Sequence, residues 1–157
     1  MNRDETFKAP RRQVEDFTFG QETARVFDDM LDRSVPFYAE IQRMIGELAT
    51  DFATPGSHVY DLGCSTGTTL LHLDRTVPAD VTLIGLDSSE DMLEQARHKL
   101  QAAGLDHPHQ LLCQNLEQPF ALSQASVVIM NLTLQFVRPL YRDQLIQAIA
   151  QGTQPGG

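Results

Sequence analysis

Two acids and a glycine-bearing loop carry the clearest chemical signal in this sequence. The run from His58 to Leu62, with Asp61 near its end, leads straight into Gly63-Cys64-Ser65-Thr66-Gly67. A second apolar run, Val81 to Leu86, is closed by Asp87. A dinucleotide loop usually has three glycines and holds a pyrophosphate at a helix N-terminus. Here an acid precedes the first glycine and Ser65 replaces the middle one, which suits a ligand carrying an ammonium group. Gly63 is expected to let the chain pass close to that ligand, and Gly67 to permit close packing as a helix starts. Asp87, at the end of the next strand, can accept both hydroxyls of a ribose.

Those residues need a strand–loop–helix frame, and the apolar rhythm supplies one. Ala24, Phe27, Met30 and Leu31 recur at helical spacing between Gln21 and about Arg33. Ser34-Val35-Pro36 interrupts them, and a second helix is expected from Pro36 to Phe52, with Ile41, Met44, Ile45 and Leu48 on its apolar face. Strands are expected at His58 to Leu62, Val81 to Leu86, Gln110 to Cys113 and Ser126 to Met130. Helices are expected from Thr68 to about Arg75, from Ser88 or Ser89 to Gly104, and from Leu140 to Ala150. The pair Ser88 and Asp91 reads as a capping box and Gly104 as a helix stop. Alternating strands and helices of this length predict a parallel α/β sheet covered on both faces. The chain closes on Thr153-Gln154-Pro155-Gly156-Gly157, a loop where another strand is expected. The expected fold is therefore incomplete at the C-terminus, with the fourth strand an uncovered edge and stability reduced.

Composition narrows the function. A formal net charge of −9, from twelve basic against twenty-one acidic residues, argues against direct grip on nucleic acid. The first residues, Met1 to Arg12, have no apolar segment of the signal-peptide kind, and no run is long enough for a membrane span, so a cytoplasmic protein is expected. Cys64 and Cys113 form no CxxC pair and are expected to be free thiols. The histidines are scattered, and His107-Pro108-His109 has no partner cluster in sequence, so no metal site is expected.

The acid-Leu-Gly-x-x-x-Gly loop, the strand-terminal Asp87 and the closing Pro-Gly-Gly resemble the class I S-adenosylmethionine-dependent methyltransferases, which implies a Rossmann-like fold. A narrower resemblance rests on Asp16-Phe17-Thr18-Phe19, Val26-Phe27, Arg33-Ser34-Val35-Pro36 with Tyr38, Asp61-Leu62-Gly63-Cys64-Ser65 and Asn131-Leu132-Thr133-Leu134-Gln135-Phe136. Together these resemble the carboxy-S-adenosyl-L-methionine synthase family. That resemblance implies a transferase using S-adenosyl-L-methionine as substrate and prephenate as carboxyl donor. Its products would be carboxy-S-adenosyl-L-methionine and phenylpyruvate, formed through a sulfonium ylide. The first product would serve 5-oxyacetic acid modification of the tRNA wobble uridine by a separate enzyme. It further implies a homodimer when complete, and a helical N-terminal extension over residues 1–52 covering the ligand held by residues 53–157.

Carried over by position, the ligand-binding residues would be Tyr38, Asp61, Gly63, Cys64, Ser65, Asp87, Ser88, Asn115, Leu116 and Asn131. Asn115 stands where the family often has an acid, so a bond to the adenine amine would use its amide oxygen. The family's carboxylate-clamping arginine would lie beyond Gly157, and by itself the 157-residue chain is expected to lack synthase activity. On the residues alone, bland roles stay open: a core position for Tyr38, a loop cap for Asp61, a strand end for Asp87 or Asn131. Phe17, Phe19 and Phe27 are expected to pack. An ordinary small-molecule methyltransferase and a non-catalytic binding module remain the alternatives.

Overall fold

The computed structural model describes residues 20–157, so the segment Asp16-Phe17-Thr18-Phe19 lies outside the described residues. Four parallel strands form the sheet: β1 (His58–Leu62), β2 (Thr82–Asp87), β3 (His109–Cys113) and β4 (Ala125–Ile129), in the order β3-β2-β1-β4. Five α-helices surround it: α1 (Gln21–Ser34), α2 (Tyr38–Phe52), α3 (Thr68–Leu73), α4 (Glu90–Ala103) and α5 (Pro139–Gly152). The order reverses direction between β1 and β4, and such a switch point opens a crevice at the C-terminal ends of the strands.

Strand periodicity sorts the core into two halves. Val59 and Leu83 face one layer, where Ala49 of α2, Leu70 and Leu73 of α3 and Leu93 and Leu100 of α4 pack against them. Tyr60, Leu62, Ile84 and Leu86 face the other, with Leu145 of α5 and Val137. Residues one apart on a strand point to opposite faces, which is why both halves are apolar. Asp61 falls on the first face, beside Gly85 in the neighbouring strand.

Several expected features differ. In α2 the buried positions are Gln42, Gly46 and Ala49, while Met44 and Leu48 are 50% and 57% exposed. The helix turns its small residues inward because α3 and the turn after it lie close: a Cβ on Gly46 would come within 3.3 Å of the Thr76 side chain. The longest apolar stripe is thus not the buried one. The helix also starts at Tyr38, because Phe37 adopts a left-handed φ of 56°. Ser89, not Ser88, caps α4, accepting from Met92 N at 3.3 Å, so the Ser88–Asp91 pair forms no capping box. Gly104 stops α4 in the left-handed conformation, as expected.

β4 is one edge of the sheet, with β3 the other, and the faces of β4 are covered. Val127 and Ile129 join one core half, and Ala125 and Val128 the other. Its first residue is bridged in parallel by Thr153, and Gln154 N donates to Ala125 O at 2.8 Å. His107 also has a partner that the sequence did not reveal. Nδ1 lies 2.8 Å from Asp74 Oδ1, and Nε2 lies 3.0 Å from Pro78 O. Burial pushes the Asp74 carboxyl up, but His107 and Asp106 hydrogen bonds outweigh it and hold the group below its usual range. Among the described residues no helix is long and apolar enough to cross a membrane.

Candidate active site

The turn after β1 is built by backbone bonds to the end of β2. Leu86 O accepts from Gly63 N at 2.7 Å and from Cys64 N at 2.9 Å, and Cys64 O accepts from Gly67 N at 2.9 Å. Gly63 has φ +82°, and a Cβ there would stand 2.5 Å from the Thr133 side chain. Its freedom is therefore used for close approach of Thr133 as well as for the turn. Gly67 has φ +80° and caps the start of α3, where a Cβ would meet Ala96 and Leu100 of α4 at 3.4 Å. Ser65 takes a left-handed φ of 50°, which aims its N–H at Asp87.

All ten residues expected at the ligand line a single cleft of about 650 Å³. Tyr38 enters from α2, and Asp61 and the Gly63-Cys64-Ser65 turn from β1. Asp87 and Ser88 come from the end of β2, Asn115 and Leu116 from the segment after β3, and Asn131 from the segment after β4. One wall is made by α1, whose Phe27, Met30 and Leu31 reach the cleft. Phe27 packs against Met92 and Ala24 while also lining that wall.

The two acids differ in environment. Asp87 Oδ2 accepts from Ser65 N and Oδ1 from Ser89 N, both at 2.9 Å, and Ser88 N–H adds a third donor. Burial still pushes its carboxyl up, against those N–H groups. Asp61 is 2% exposed and its Oδ2 has no hydrogen-bond partner among the described residues. Burial, then the charge of Asp87, push its carboxyl up to about 7, with a Thr69 hydroxyl opposing. Tyr38 accepts from Gln42 Nε2 at 2.9 Å and is pushed up to about 12, mainly by burial, so its hydroxyl stays a donor at neutral pH. Burial likewise raises the Cys64 thiol, which keeps it protonated and a poor nucleophile. Asn115 Oδ1 is engaged by Glu117 N at 2.9 Å, closing a turn. An adenine amine at this oxygen would have to share it with that backbone donor.

Sequence reasoning missed three groups. Thr133 fills the space above Gly63, and Thr69 supplies the hydroxyl to Asp61. The third is a polar clamp. Lys99 of α4 donates to Asp28 Oδ2 at 2.6 Å and to Thr68 at 2.7 Å, while Thr66 donates to Asp28 Oδ1 at 2.6 Å. It ties α1 to the β1–α3 turn. No local signal reveals it, because Asp28, Thr66 and Lys99 meet only through tertiary packing.

A parallel sheet with a ligand loop after β1 and an acid closing β2 defines the Rossmann-like class of nucleoside-binding domains. Residues 59–157 match the model of the methyltransferase domain, and the chain belongs to that family. Over its full length it is 49% identical to a carboxy-S-adenosyl-L-methionine synthase of Methylococcus capsulatus and 45% identical to one of Actinobacillus succinogenes. It spans 65% of the length of each. The fold resembles an S-adenosylmethionine-dependent methyltransferase from Clostridium acetobutylicum, with a TM-score of 0.65 and 21% identity over 83% of this chain and 52% of that one. It also resembles the plantazolicin methyltransferase BpumL in complex with SAH, with a TM-score of 0.59 and 19% identity over 82% and 48% of the two chains.

Proposed function

We propose that the protein converts S-adenosyl-L-methionine and prephenate to carboxy-S-adenosyl-L-methionine, phenylpyruvate and water, the hydroxyl leaving prephenate combining with the proton lost from the sulfonium methyl. The observation carrying this reading is the 49% identity, over all of this chain and 65% of the relative, to a carboxy-S-adenosyl-L-methionine synthase. The cleft fits such a ligand on its own chemistry. Among the described residues a buried carboxylate oxygen without a partner suits a cationic group, and those that line the cleft include Asp61, Asp87 and Glu117 but no lysine, arginine or histidine. S-adenosyl-L-methionine supplies the sulfonium methyl carbon that receives the carboxyl group.

In this reading Asp61 faces the ligand's ammonium group and Asp87 accepts from the ribose hydroxyls. Leu116 flanks the adenine, with Asn115 at its edge. Tyr38, kept protonated, donates a hydrogen bond into the cleft. The apolar wall of α1 limits water near the reacting carbon. The product would pass to a separate tRNA-modifying enzyme for wobble uridine, which agrees with a chain of net charge −9 that need not hold tRNA itself. A cytoplasmic homodimer is part of the same reading.

The test is incubation of the full-length protein with S-adenosyl-L-methionine and prephenate. Phenylpyruvate and a carboxylated sulfonium product should form together. Methyl transfer to a small acceptor, with prephenate untouched, would favour an ordinary methyltransferase instead.

A further inference from the structure

Among the described residues the wall around Asp61 is short of positive charge on every side. From β2 the facing ionisable group is Asp87; from α2 it is Tyr38; from the turn after β1 it is Cys64. The α3 helix presents Thr69, whose hydroxyl donates to Asp61, and β4 pairs with it through Ile129, which cannot ionise. On α1 the acid near Tyr38 is Asp28, already bound to Lys99 of α4, and Asp32 lies further along the same helix. Glu117, elsewhere in the cleft, is held by Arg138 at 2.8 Å. A carboxylate that is 2% exposed, with one oxygen unpartnered and an acid as its nearest charge, is poorly solvated when ionised.

We propose that the cleft exchanges a proton for its cationic ligand: below neutral pH Asp61 is uncharged in the ligand-free protein, and it releases its proton to solvent when a ligand's positive group reaches Oδ2. This rests on reading the cleft as a site for S-adenosyl-L-methionine, which carries a sulfonium and an α-ammonium group. Asp87 does not share the behaviour to the same degree, because three backbone N–H groups favour its charged form. Proton balance is simple: one proton leaves the carboxyl for the buffer and no bond to carbon changes. The consequence is an affinity that declines in acid. With Asp61 titrating near 7, affinity should fall by roughly an order of magnitude between pH 7.5 and pH 6. The ligand's own α-amino group loses its proton only near pH 8, so it contributes little in that window.

The experiment is calorimetric titration of the full-length protein with S-adenosyl-L-methionine at pH 6.5, in two buffers of different ionisation enthalpy. Release of roughly half to one proton per ligand is expected. In Asp61→Asn the release should vanish and the remaining affinity should be flat from pH 6 to 7.5. Binding without proton release in the native protein would overturn the inference and leave the ligand reading standing. Release that persists in Asp61→Asn would also overturn it, by assigning the proton to another group. Failure of the native protein to bind S-adenosyl-L-methionine at any of these pH values would overturn the ligand reading and the inference together.

Discussion

Asp61 and Asp87 lie at the ends of neighbouring parallel strands yet are satisfied in opposite degree. Both oxygens of Asp87 accept backbone N–H groups, from Ser65 and Ser89 at 2.9 Å, whereas Asp61 Oδ2 has no partner among the described residues. One acid therefore holds the turn in shape, and the other is left open to a partner that the described residues do not supply.

The unsatisfied acid gives the ligand-free protein a pH-dependent stability. The folded pKa of Asp61, pushed up to about 7, lies above its unfolded value near 4. Its contribution is intact below the unfolded value and is lost as pH rises through about 7. Asp61→Asn, which has no proton to lose, should be more stable than the native protein at pH 8, by on the order of 4 kcal/mol. At pH 5 the advantage should shrink to about 1 kcal/mol, closing only below the unfolded value. Urea unfolding at both pH values measures it, and equal stability of the two proteins at pH 8 would contradict the placement of Asp61.

Asp87→Ala should damage both binding and fold. Losing a charged acceptor for the ribose hydroxyls removes roughly 1.5–3 kcal/mol, about a tenfold to hundredfold loss of affinity. The Ser65 and Ser89 N–H groups lose their acceptor as well, costing about 1–3 kcal/mol of stability. Asp87→Asn keeps one acceptor oxygen and should fall between. Calorimetry paired with thermal unfolding checks this, and unchanged affinity in the alanine variant would remove Asp87 from the site.

Gly63→Ala should be costly for two separable reasons. The new Cβ would sit 2.5 Å from Thr133 and the backbone would be held at φ +82°. Thr133→Ala should relieve most of the collision, leaving its own Cβ 3.0 Å away, but not the dihedral strain, so about 1 kcal/mol or more of the penalty stays in the double variant. A double-mutant cycle by chemical unfolding gives both parts. Additive losses would mean that Thr133 does not press on the turn.

Lys99→Met should loosen the α1 wall without disturbing the sheet. The clamp is partly buried, at 27% and 36% exposure for Lys99 and Asp28, and its loss should cost about 1 kcal/mol. Hydrogen exchange should speed up in α1, with β1 and β2 amides unchanged. Equal protection of α1 in both proteins would show that apolar packing on Met92 suffices.

Much of the frame was legible because it depends on short-range pattern. The alternation of Val59, Tyr60, Asp61 and Leu62, the stop at Gly104, and the order of strands and helices all follow from local periodicity. The ten residues carried over from the family resemblance line one cleft, nine of them at or just after strand ends and Tyr38 on α2. What escaped depends on three-dimensional contact. The buried face of α2 was misread because Gly46 and Ala49 lack the bulk that hydrophobic periodicity rewards. Of the two serines offered as caps, Ser89 is the one whose Oγ reaches Met92 N, and the pairing of Ser88 with Asp91 does not form. His107 found Asp74 from a distant part of the chain, and Thr133 found Gly63, through tertiary packing that spacing does not encode.

The most direct test of the central claim is mass spectrometry of the small molecule that remains with the full-length protein when it is purified from a host that makes prephenate. The full-length protein should retain carboxy-S-adenosyl-L-methionine, alone or mixed with S-adenosyl-L-methionine, with the ligand's ammonium group at Asp61 and its ribose at Asp87. A nicotinamide or flavin dinucleotide, or S-adenosyl-L-methionine with no carboxylated form even after prephenate is supplied, would contradict it.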